Sequence, residues 1–385
     1  KVELGKLEGA GDWTHQYGSS DNTTNSRDDL VRGEMGILWW GEPGPRPMPD
    51  RGGRNPAPLA ANGRMFIQGD RVLFGVDAYN GTVLWTFFSP EMRRSNMPRD
   101  GSNMVATDDT LFVTIGSECI ALDAQTGKRR AAIHAAKGRD WGWLSAGKGQ
   151  LLSATVKNGS SYKADSGEWY DGVGAGDVQR VVSDALLSHN PATGKEQWAY
   201  RGGAVMNSTL TIADDTIYFV ESRNPEVAKS ATSRITPAQL TGQHLVALDR
   251  VTGKKLWERP VDFSKCENML YLVHAQGTLV ATGSDRNKVY HTYAYDVSSP
   301  ALRFGTKNPE VPQLWEESHK AAKDHHGGHL QHPLVIGETF YSDSRAFALR
   351  TGKLLRTDLP ARRGCGNMAA SNHSMFFRHY FHGIW

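Results

Sequence analysis

Asp249-Arg-Val-Thr-Gly253-Lys-Lys-Leu-Trp257 is the stretch from which the fold is read. Its wording returns as Asp77-Ala-Tyr-Asn-Gly81-Thr-Val-Leu-Trp85, Asp123-Ala-Gln-Thr-Gly127-Lys128 and Asn190-Pro-Ala-Thr-Gly194-Lys-Glu-Gln-Trp198. Arg350-Thr351-Gly352-Lys353 is a shortened copy and Tyr295-Asp296-Val297-Ser298 a decayed one. Repeats at intervals of roughly 50 residues mark propellers and arrays. In each copy the Asp or Asn side chain accepts backbone N–H groups just downstream and glycine supplies a positive φ, so the phrase closes a hairpin. Alternating apolar runs such as Thr110-Leu-Phe-Val-Thr-Ile115 precede it and read as strands. The tryptophan four residues past the glycine then falls on the next strand, where a flat ring packs between neighbouring sheets. One unit is about four antiparallel strands, which is a propeller blade.

Such units lie near residues 63–85, 104–128, 144–198, 209–257, 270–297, 334–356 and 369–385. They predict an all-β propeller of four-stranded antiparallel blades in one domain over 1–385, with seven blades and eight as the alternative. The seventh unit stops at Trp385 before any closing phrase, while Met35-Gly-Ile-Leu-Trp39-Trp40 reads as an outer strand with no unit before it. Residues 1–40 are therefore read as an N-terminal arm and a strand that completes the last blade, because ring closure removes exposed strand edges. Polar stretches at 157–180 and 222–243 read as loop insertions.

Composition agrees. There are 41 glycines in 385 residues, well above the usual roughly 7%. Hydrophobic residues make up 39% and charged residues 22%, as in a globular chain rather than a disordered one. No apolar run approaches the roughly 18 residues of a membrane helix. The net charge of +3, without basic blocks, gives no support for a nucleic-acid partner. Cys119, Cys266 and Cys365 lie far apart and form no CxxC motif, which excludes zinc-ribbon, thioredoxin-like and c-haem readings.

The repeated phrase resembles the pyrroloquinoline-quinone (PQQ)-like repeat of the quinoprotein-dehydrogenase-like β-propellers. The opening Asp12-Trp13-Thr-His-Gln-Tyr-Gly18, with polar residues to Ser26, is similar to the start of many of them. The resemblance covers nearly the whole chain and implies the propeller fold. It implies no single function, since the scaffold hosts enzymes and binding modules alike. Its PQQ enzymes carry an adjacent Cys-Cys pair over the cofactor, which this sequence lacks, so PQQ is not expected. The chain resembles more closely the assembly-lipoprotein members that bind without catalysis.

The segments that enter each innermost strand converge on one mouth of the channel, where propellers bind ligands. They carry Arg54, Arg99, Asn103, Trp141, Trp143, Asn207, Asn268 and Asn367, read as ligand-binding residues. Asn103, His332 and Asn367 occupy the same register relative to the next turn. The arginines suit carboxylates or sulfates of an acidic saccharide, although pairing of Arg139 with Asp140 and of its counterparts with their own neighbours is the favoured reading. His325, His329, Gln331 and His332 form a candidate zinc or manganese site, with His329 and His332 as catalytic candidates. The reading favoured here is a binding module that meets a protein partner or a carbohydrate at the mouth. A metal-assisted polysaccharide lyase or hydrolase is the alternative, and a PQQ-dependent dehydrogenase is disfavoured. A periplasmic or secreted monomer is expected.

Overall fold

A computed structural model describes residues 5–33, 35–41, 56–92, 102–160, 180–302, 309–322, 330–359 and 367–377. Its described residues form seven antiparallel sheets that follow one another along the chain. The first blade runs through Leu59–Ala61, Arg64–Gln68, Val72–Asp77 and Val83–Phe88 in sequential order. Blades two, three, five and six repeat that four-strand pattern between Met104 and His134, Arg139 and Tyr200, Met269 and Lys320, and Leu334 and Arg356. Blade four is a larger sheet that adds Val182–Ser183. Blade seven shows the pair Ala369–Ala370 and Met375–Phe376.

The hairpin phrase works as the sequence predicts. Asp123 Oδ1 accepts the Gln125 and Thr126 amides at 3.0 and 2.8 Å, and Gly127 N–H returns to Asp123 O at 2.8 Å. Gly81, Gly127, Gly194, Gly253 and Gly352 sit at φ between +66° and +72°. Burial of the Asp123 carboxyl works against its charge, but bonds from Arg130 and Thr126 outweigh it and hold the pKa down at about 2. Just before the turn, the third strand bulges against the outer strand at the same place in each of the first six blades, as at Gly75/Val76 and Ala247/Leu248.

Directly ahead of that bulge, the outer strand presents the residue that docks on the next blade. Trp85 lies opposite Gly75, Trp198 opposite Ser188, Trp257 opposite Ala247 and Trp315 opposite Ala294. Small partners make room for the indole. Trp85 covers Gly127, Trp198 covers Gly253 and Trp315 covers Gly352, so closely that a Cβ on any of these glycines would lie 2.5–2.7 Å from the ring. Each indole N–H also donates across the seam, Trp85 to Ala124 O at 3.0 Å, Trp198 to Arg250 O at 3.2 Å and Trp315 to Leu349 O at 2.9 Å.

The N-terminal arm refines the expected closure. Residues 35–41 form no strand, so the pairing expected of a closing strand is not seen among the described residues. Yet Trp39 covers Gly81 of blade one, and its indole donates to Ala78 O at 3.1 Å. Trp39 thus takes the seat of a docking tryptophan from the blade that precedes blade one. The expected insertion at 222–243 is not wholly loop: Asn224 caps a short helix, Pro225–Lys229, and Pro237–Leu240 is a 3-10 turn. Residues 161–179 of the other insertion lie outside the described residues.

Loss of a docking ring removes both burial and the cross-seam bond. Trp85→Ala is expected to cost about 3–5 kcal/mol in chemical denaturation. Arg356, which takes the docking position in blade six and is exposed, should tolerate alanine with no resolvable shift of the denaturation midpoint.

Candidate functional site

The mouth of the channel is governed by the residues that precede blade one. Residues 12–26 run around the axis as a belt and bond to the innermost strand of each blade in turn. Trp13 exchanges two backbone bonds of 2.8 Å with Ala60 of blade one, and Thr14 O accepts Ala106 N–H of blade two at 3.0 Å. His15 Nε2 meets Ser145 Oγ of blade three at 2.7 Å. Ser20 O takes Ile212 N–H of blade four at 2.7 Å, Asp21 O takes His274 N–H of blade five at 3.0 Å, and Thr23 O takes Val335 N–H of blade six at 3.0 Å. Thr24 O and Ser26 N–H then bracket Ala370 of blade seven, and Asp12 N–H returns to Ser26 O at 3.2 Å.

Short polar side chains suit this path because they bond the backbone locally and across to other strands. The Asn22 carboxamide donates to Leu210 O at 2.9 Å in blade four and to Leu272 O at 3.2 Å in blade five. Thr24 adopts φ +57°, a left-handed conformation that β-branched residues rarely take. Its hydroxyl donates to Pro333 O at 2.8 Å, which helps to hold it there.

The belt places the predicted residues as follows. His332 is fully buried; Thr24 Oγ1 lies 2.8 Å from its Nδ1, and the belt's Tyr17 stacks on it with ring centroids 3.7 Å apart. Asn367 accepts the His332 amide at 3.3 Å, and the Gln331 amide donates to the Tyr290 hydroxyl. Asn103 is buried and donates to Gln68 Oε1 at 2.7 Å, while Asn268 donates to the Asp285 carbonyl. Trp143 and Asn207 line a cavity of about 10 Å³ beside His15, Gln16 and Tyr17, about the room of one water molecule. Both polar atoms of the Asn207 carboxamide are buried there without a hydrogen-bond partner. Trp141 points elsewhere, into the seam between blades two and three, with its indole donating to Ser117 O at 3.0 Å. Arg54, Arg99, His325 and His329 lie outside the described residues. No group of three or more His, Cys, Asp and Glu positioned to hold a metal ion occurs among the described residues.

One pairing differs from expectation. Arg139 bonds to Asp184 rather than Asp140, because Asp140 is engaged by Asn158 Nδ2 and Gly159 N–H at 3.1 and 2.9 Å. On the opposite side of the belt, where the inner strands end, a cavity of about 440 Å³ is lined by Asp21, Thr23, Asn25, Arg27, His274 and Asn372. The sequence reading missed this face. Its signal in the sequence is the polar run Ser19–Ser26.

The two cysteines among the described residues lie in different blades. Cys119 and Cys266 are buried in blades two and five, and burial pushes both thiols up. At the axis, the belt's own Tyr17 ring lies on His332.

Burial inside the ring lowers the His15 pKa from 6.5 to about 4, with Asp21 opposing and Arg250 assisting. His319, buried in blade five, is likewise lowered to about 4, by burial and then by Arg345. Between these values and 6.5 the unfolded chain binds more protons, so stability falls as pH drops through that window. Denaturation midpoints are expected to be flat above about pH 7 and to decline between 6.5 and 4, with a shallower decline in His15→Gln.

Comparison with known proteins agrees with this architecture. The structure of BamB from Moraxella catarrhalis is 15% identical, with a TM-score of 0.45 over 83% of this chain and 81% of that one. Quinohemoprotein alcohol dehydrogenase from Comamonas testosteroni is 13% identical, with a TM-score of 0.50 over 95% of this chain and 76% of that one. At 13% identity the likeness to the latter is one of fold alone. No curated protein matches the chain. A family model described as outer membrane protein assembly factor BamB matches residues 49–143 and 143–258. The repeat, the docked tryptophans and that match together place this PQQ-like propeller in the outer membrane protein assembly factor BamB family.

Proposed function

We propose that this propeller is a binding module that acts through protein contacts and not through an axial cofactor or metal. The observation that carries this reading is the belt: the chain's own residues 12–26 occupy the axis and engage all seven blades. His332, the predicted catalytic and metal-binding residue among those described, is committed to Thr24 and Tyr17. The family description, outer membrane protein assembly factor, supports a role in that setting and an exported, envelope-facing location. No helix among the described residues is long and apolar enough to cross a membrane.

A surface suited to a protein partner lies next to the docked Trp39. Ile37 is 82% exposed, Leu38 73% and Trp40 92%, an apolar run beside the ring that docks on blade one. Aromatic residues exposed in this way carry much of the energy of protein interfaces.

Two measurements test the proposal. Purified protein dialysed against PQQ with Ca²⁺, zinc or manganese should retain no stoichiometric ligand. Stoichiometric zinc or manganese that is lost in His329→Ala/His332→Ala would replace this reading with the metal-assisted enzyme. A photo-crosslinker placed at Leu38 in cells should capture one discrete protein partner, and capture should fall at least fivefold in Trp40→Ala. Equal labelling from a crosslinker at exposed Lys254 would refute a partner surface here.

A further inference from the structure

The seam between blades two and three departs from the docking rule. In blade two the docking register, opposite Ala121 and just ahead of the bulge, holds Ala131 where Trp85, Trp198, Trp257 and Trp315 stand in other blades. Ile133, two residues on, reaches Gly194 of blade three instead, 3.1 Å from where a Cβ would sit. An isoleucine supplies far less volume than an indole. Beyond it the seam stays open as a cavity of about 610 Å³, within the size range of small-ligand sites.

The walls of this cavity are chemically specific. Blade two contributes the small side chains Ala135 and Ala136, and blade three contributes Trp141, Leu187 and Ala185. Trp141 and His189 stand side by side, ring centroids 5.7 Å apart, so an aromatic guest would meet rings and short aliphatic groups. A buried polar atom at the cavity, Arg139 Nη1, makes no hydrogen bond among the described residues. Arg139 spends its other amino group on Asp184, so Nη1 is a cationic donor lacking an acceptor. Such a group is costly to leave unmet. At the rim, Arg201 and Glu196 are exposed, line the same cavity and close no ion pair with each other or with any other described residue.

We propose that the seam between blades two and three is a binding site for a free aromatic amino acid. The ring fills the space left by the absent docking tryptophan, the carboxylate meets Arg139 and Arg201, and the ammonium meets Glu196. Charged groups on the cavity balance in sign, which matches a zwitterion better than a simple anion or cation. This site is separate from the axis and from the Ile37–Trp40 surface, so it stands or falls independently of the partner reading.

The test uses the intact chain with L-tryptophan and, separately, indole, followed by calorimetry and ligand-observed NMR. L-Tryptophan is expected to saturate one site and to bind at least tenfold more tightly than indole, which has the ring alone. Arg139→Gln and Glu196→Gln should each weaken L-tryptophan at least fivefold while leaving indole unchanged. Ala135→Trp should abolish binding of both by filling the cavity. Ala136→Trp, at an exposed position on the connecting segment, gives the same test should the first variant not fold. Absence of saturation by millimolar L-tryptophan, equal affinity for indole, or undiminished binding in the filled variants would overturn the assignment.

Discussion

The bonds between the belt and the seven innermost strands are the constraint on which the rest of this structure depends. A propeller blade bonds within itself, and its neighbours meet it mainly through side-chain packing. Backbone groups on the innermost strands face the axis and must be satisfied there. Here Ala60, Ala106, Ile212, His274, Val335 and Ala370 each donate an amide to the belt. That one segment therefore satisfies the axis, fixes the blades around a common centre and decides what the channel can hold.

The seams supply the second constraint, and they are built from a different rule. A glycine at positive φ, a small residue before the bulge and an indole from the preceding blade form one interlocking unit, as in Gly127, Gly75 and Trp85. Where all three are present the indole covers the glycine of the next blade. In blade two the indole is missing, and the cavity lined by Trp141 and His189 opens in that seam. Variation in a repeat is thus a guide to sites: a position that packing fills elsewhere becomes available to a ligand where the packing residue is lost.

Much of the fold was legible because the repeat joins local and tertiary signals in one phrase. Asp123, Gly127 and the apolar alternation around them specify a hairpin, and Trp85 or Trp198 specifies what the hairpin packs against. The site was less legible. Trp141 and Trp143 are two residues apart and were read together, yet one lines the seam and the other the mouth. A β-bulge between their partners Ala154 and Thr155 shifts the register just there, and bulges leave little trace in a sequence. His332 was read as a ligand because histidines cluster near it. Its actual neighbours, Tyr17 and Thr24, lie more than 300 residues away in sequence, beyond the reach of any local pattern. The absence of a tryptophan after Gly127 is plain in the sequence, and it acquires meaning only once Trp85, Trp198 and Trp315 are seen docked.

Native-state hydrogen exchange at the amides of Ala60, Ala106, Ile212, His274, Val335 and Ala370 tests the central claim most directly. If the belt ties the ring, all six exchange only through global unfolding, with protection and denaturant dependence matching those of blade-core amides such as Phe219 and Val280. Rapid exchange of these six while the blade cores stay protected would show that the belt is loosely held, and the account of a channel closed by its own chain would be wrong.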